Sequence, residues 1–155
     1  MYFQTARCIE ISTINYLTTQ INNNWTGITT VKSFTNAYKT ALPVVCIRLL
    51  DTDSSRRELG TTELLNDYTI GIDLFASSDG QRIDLADFIL DKLKDPWTYY
   101  DYHQTSGATE TLTGIENGRI HVRRFIENNK LDFGEEGVDK YDLFRHILIV
   151  QVRKV

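Results

Sequence analysis

The residues best able to do chemistry are His103, His121 and His146, the basic run Arg119, His121, Arg123 and Arg124, and the cysteines Cys8 and Cys46. The histidines lie far apart, and none belongs to an HExxH or similar ligand pair, so the spacing supports no metal centre. His146 or His121 beside a carboxylate would make an acid/base pair, but scattered histidines are more often structural or interfacial. There is no G-x-S-x-G elbow, Gly-rich phosphate loop or Cys-His signature. The basic run could hold phosphate. Strict alternation puts Arg119, His121 and Arg123 on one strand face and Arg124 on the other, with Trp97 or Tyr99 as stacking partners for a nucleic acid. The alternative is a solvated face or an intersubunit ion-pair strip, for which Glu135, Glu136 and Asp139 supply acids. A formal charge of -4 provides no global positive field, which disfavours bulk nucleic-acid binding.

The cysteines fall in an amphipathic helix and an apolar strand, and read as buried free thiols made in a reducing cytoplasm. They neither form a disulfide framework nor match zinc spacing. No apolar run approaches the roughly 20 residues that span a bilayer. The start MYFQTARC lacks a basic segment leading into an apolar signal core. The reading is a chain neither secreted nor membrane-embedded.

At 155 residues the chain is long enough to bury a real core, and one domain over 1–155 is expected. Ile11, Ile14, Leu17 and Ile21 recur at helical spacing within 5–22, which predicts a first helix ended by the asparagine run 22–24. A short β-prone segment, 28–34, precedes Pro43, and Val44 to Leu50 is a nearly continuous apolar strand, expected near the sheet centre. Asp51 to Asn66 is long and polar. It reads either as a projecting arm that contacts a partner or as a solvated β-hairpin extension.

Tyr68 to Ala76 alternates as a strand. Ser77, Ser78 and Asp79 can cap a helix in which Ile83, Ala86, Ile89, Leu90 and Leu93 share a face, ending before Pro96. The segment from Trp97 to Gly118 is rich in aromatic residues, Thr and Gly, and its WTYYDY cluster is either an exposed interface or a core closure. Arg119 to Ile126 and Leu143 to Val155 read as closing strands. The last has Phe144, Leu148, Val150 and Val152 on one face and Ile147 and Ile149 on the other. The fold class is therefore α+β: a mixed, mainly antiparallel sheet flanked by two helices, with a long polar β-arm.

The order of helix, strand beginning LPVVCIRLL, polar arm, strand DYTIGIDLFA, helix DLADFILDKL and closing strands ending FRHILIVQVRKV resembles the tail terminator proteins of long-tailed bacteriophages. It is also similar to the related head-tail joining and neck proteins. The likeness covers most of the chain and is weakest from Trp97 to Gly118. It implies a non-enzymatic structural protein of the virion that needs no cofactor or metal. Such a subunit forms a homohexameric ring at the head-tail junction, halts the tail tube, docks the head connector or stopper protein, and lets genomic DNA pass through its lumen without binding it. The resemblance also implies that the arm crosses to a neighbouring subunit through Arg56, Arg57 and Glu58. Arg119, Arg123, Arg124, Glu135, Glu136 and Arg145 are its further interface candidates. The longer segment from Trp97 through Asp142 leaves a neck or adaptor role as the alternative.

Overall fold

The computed structural model describes residues 3–60, 62–105, 111–132 and 138–155. Its elements run α1 (Thr5–Asn24), β1 (Thr29–Val31), α2 (Phe34–Ala37), β2 (Val44–Arg56), β3 (Leu64–Phe75), α3 (Asp79–Leu93), β4 (Trp97–Thr105), β5 (Thr111–Leu131), α4 (Lys140–Leu143) and β6 (Arg145–Lys154). All six strands join one sheet in the order β1-β2-β3-β6-β5-β4, antiparallel except for β1 against β2. The α+β class with a mixed, mainly antiparallel sheet is as the patterning predicts. The one-turn helices α2 and α4 add to the two long ones.

The alternation in β3 and β6 decides which face is covered. Tyr68, Ile70, Ile72 and Leu74 of β3 and Leu148, Val150 and Val152 of β6 are buried against Cys8, Ile9, Leu17 and Ile21 of α1 and Leu85, Ala86, Ile89 and Leu93 of α3. A smaller cluster of Ala37, Val44, Cys46, Phe75 and Tyr141 lies on the opposite face, closed by α2 and α4. Both cysteines are buried and free, and burial, followed by the charge of Asp73, pushes the Cys46 thiol up to about 11.

Several expectations change. The covered face of α1 is centred on Cys8, Ile9, Ser12, Thr13 and Leu17, leaving Ile11 and Ile14 half-buried on its flank. In α3 the inward positions are Arg82, Leu85, Ala86, Ile89 and Leu93, and Ile83 is 45% exposed. β2 sits one strand in from the edge, because β1 pairs outside it and β3 and β6 take the centre. The segment from Trp97 to Gly118 forms β4 and the first half of β5, and WTYYDY is core closure at Trp97, Tyr99 and Tyr102.

Capping at α3 follows the sequence. Ser78 Oγ accepts from Gln81 N at 3.2 Å, while Gln81 Oε1 accepts from Ser77 N at 2.8 Å, so one amide of the first turn and the amide just before the cap are both satisfied. Arg82 then reaches inward from α3 to the carbonyl oxygens of Leu131 and Arg145 at 3.2 and 3.3 Å, and pairs with Asp79.

Both edge strands are tied to α1. On one flank Thr18 Oγ1 meets Thr30 Oγ1 at 2.7 Å, and Glu10 pairs with Lys32 at 2.7 Å while accepting from Leu49 N. On the other, Phe3 N donates to Tyr102 O, Tyr102 N to Cys8 Sγ, and Tyr100 N to Ser12 Oγ. The sheet therefore curls about α1, whose side chains occupy the place of a missing strand beside β4. Among the described residues no helix is long and apolar enough to cross a membrane.

Candidate assembly surfaces

The pairing register places two hairpins at one end of the sheet. β3 meets β6 only from Tyr68↔Val152 onward, and β5 meets it only from Ile120↔Lys154 onward. The β2–β3 hairpin and the β4–β5 hairpin thus both continue past the C-terminal end of β6. The polar segment read as an arm is a hairpin whose strands prolong β2 and β3, with Arg56↔Leu64 as the last pair. No alternation marks it because neither face is covered: residues 50–60 are all exposed. Leu59 at its tip is fully exposed and Leu64 is half-exposed. Arg57 and Glu63 pair across the tip at 3.5 Å, a contact of small energetic weight at that exposure. Arg56 and Glu58 lie in the same hairpin and are exposed.

The basic run on β5 is rearranged by bulges. Register shifts between Val122 and Arg124 and between Phe125 and Glu127 make Arg123 and Ile126 extra residues. His121 then pairs with Arg153 and Arg124 with Gln151, so Arg119, His121 and Arg124 share the face away from the long helices. This corrects the assignment from strict alternation, which the inserted Arg123 breaks. Trp97 and Tyr99 are only 2% and 1% exposed, so neither can stack on a base beside that run. Arg119 donates to Pro96 O at 2.8 Å, whereas Arg123 and Arg124 are exposed without an ion-pair partner among the described residues.

Arg145 turns inward. It pairs with Asp73 at 3.0 Å and Asp142 at 3.4 Å, and its guanidinium lies 5.1 Å from the Phe75 ring centre. Arg48 approaches the same Asp73 at 4.0 Å and stacks over Phe34. Burial raises the Asp73 carboxyl above its ordinary range, and the Arg145 hydrogen bond opposes that rise. Glu135 and Glu136 lie outside the described residues.

His146 is on the covered face, with Nε2 2.6 Å from Asn128 Oδ1. Burial, then the Arg82 charge, holds its imidazole below the ordinary value, Asp87 opposing. These surroundings favour the neutral form of a packed histidine. Among the described residues no group of three or more His, Cys, Asp and Glu side chains could hold a metal ion. A cleft of about 350 Å3 between α1 and β4 is lined by Ser12, Asn15, Tyr16, Thr98, Tyr100 and Tyr102 among others. It has hydroxyl and amide donors but no charged group, which suits water or a polar backbone rather than acid/base work.

What the arrangement can do is present long backbone edges, exposed leucines and charge of both signs on projecting elements. Neither a protein-family model nor a curated protein sequence matches the chain.

Proposed function

We propose that this chain is a non-enzymatic structural subunit of a tailed bacteriophage that assembles as a ring at the head-tail junction, where it ends the tail tube and docks the head connector. The observation that carries the reading is the pair of hairpins extending past β6 from one end of the sheet, one of them tipped by a fully exposed leucine. Leu50, Leu59 and Leu64 are all exposed on this one projecting hairpin, and apolar side chains grouped on a projecting element are suited to a partner. A ring subunit also needs unlike surfaces on its two ends, one for the tube and one for the connector. The hairpin end and the end bearing α2 and α4 are built differently, which supports that reading.

The reading is tested by light scattering and negative-stain microscopy of the protein alone and with purified tail tubes of the phage encoding it. Rings, or protein capping one end of the tubes, are expected. A protein that stays monomeric and leaves tube ends bare overturns it.

A further inference from the structure

Among the described residues, two runs of sheet edge have no neighbouring strand, on opposite sides of the sheet. β1 covers β2 only from Val44 to Cys46, and beyond the Leu49 contact with Glu10 the described residues place no further strand against the outer edge of β2. β4 leaves β5 at Ile120, and from His121 to Leu131 β6, on the inner side, is the only strand that the described residues place beside β5, with Arg82 and Asp79 of α3 engaging its end at Leu131 and Lys130. Every residue from 123 to 130 is exposed, including Phe125 at 47% and Ile126 at 43%. An open edge bearing apolar side chains is a template for another strand.

The two edges differ in charge. Along the β2–β3 hairpin, Asp51, Asp53, Glu58 and Glu63 outnumber Arg56 and Arg57. Along the second half of β5, Arg123 and Arg124 face the single Glu127, while Lys130 is already paired with Asp79 at 2.9 Å. Like edges of two copies repel, and unlike edges attract. An interface joining unlike surfaces of identical subunits is heterologous, the type that closes into a ring when the rotation permits.

We propose that the outer edge of β5 receives the β2 edge of the hairpin from a second copy of this chain, so that the sheet continues from subunit to subunit. The docking rests on the ring reading above and adds its contact. The bulges at Arg123 and Ile126 limit where the incoming strand can pair, and so select its register. Phe125 and Ile126 meet the apolar side chains of the incoming hairpin, with Arg123 and Arg124 meeting its aspartates.

A charge swap tests this. One variant carries Arg123→Glu and Arg124→Glu, and the other Asp51→Lys and Asp53→Lys; all four residues are exposed, and circular dichroism and melting confirm that each variant folds. Self-association, measured by analytical ultracentrifugation at low salt, should weaken at least about tenfold in either variant alone. Mixing the two should restore it, because each then meets an edge of opposite charge. Unchanged assembly of either variant, or a mixture no better than its components, overturns the docking while wild-type rings leave the ring reading standing. Wild-type protein that is monomeric at every concentration also overturns the docking. Whether that protein caps tail tubes then decides the ring reading separately.

Discussion

The guanidinium of Arg145 and the carboxylate of Asp73 meet at 3.0 Å on the face of the sheet away from the long helices, with Asp73 only 2% exposed. The pair ties the first residue of β6 to β3 beneath α2 and α4. Removing one partner of such a pair leaves a buried charge uncompensated. Arg145→Ala should cost about 3 kcal/mol in urea unfolding at pH 7. Without Arg145 the Asp73 carboxyl loses the hydrogen bond and charge that oppose its upward shift. A carboxyl with a raised folded pKa binds its proton more tightly in the folded state, so its contribution to stability improves as pH falls through that pKa. The variant's deficit should therefore shrink on acidification, as equilibrium unfolding at a series of pH values would reveal.

His146 runs in the opposite sense. Its folded pKa lies below the ordinary 6.5, so between that value and the folded pKa the unfolded chain holds more protons. Stability from this group is fully present above pH 6.5 and is lost as pH falls through the window. His146→Gln should flatten that part of the stability curve, and an NMR titration of the imidazole should place its midpoint below 6.5. A midpoint at or above 6.5 would contradict the burial.

Ser12 is a helix residue whose work is done on a strand. Its hydroxyl accepts from Tyr100 N at 3.1 Å, supplying the bond that a further strand would otherwise make. Ser12→Ala leaves that amide without its acceptor and should cost about 1–3 kcal/mol. Faster hydrogen exchange at Tyr100, with α3 amides unaffected, would distinguish local loss of the edge bond from general loosening.

Gly118 holds φ at +109°, and a Cβ there would lie 2.6 Å from Val155 O, a backbone atom with little freedom to move. Gly118→Ala should destabilise by about 1–3 kcal/mol. It should also break the paired bonds between Arg119 and Val155, at 3.1 and 2.8 Å, which hold the end of β6 against β5. Thermal melting measures the first effect and exchange at Val155 the second.

The parts legible in the sequence are those in which one local signal governs. Ser78 and Pro96 bracket α3, and alternation marks β3 and β6 because each has a covered face. Other parts depend on what the chain meets elsewhere. Ser12 and Thr13 read as polar, yet they face inward because Tyr100 N and the Trp97 indole need acceptors. Arg82 is buried because the carbonyls of Leu131 and Arg145 converge on it, which no spacing reveals. The candidate assembly surface was readable only in part. A polar arm at 51–66 stands out, but the open edge of β5 depends on β4 stopping at Ile120, and the placement of Arg124 depends on one extra residue at Arg123.

The dressing of β4 by α1 has a further consequence for how copies can meet. With Tyr100 N and Tyr102 N already engaged by Ser12 and Cys8, an incoming strand would have to displace a whole helix to reach that flank. Among the described residues the sheet edge is therefore dressed along β4 and bare along the far half of β5. Under the docking proposed above, such one-sidedness would give a growing assembly a direction of travel and deny it a branch point.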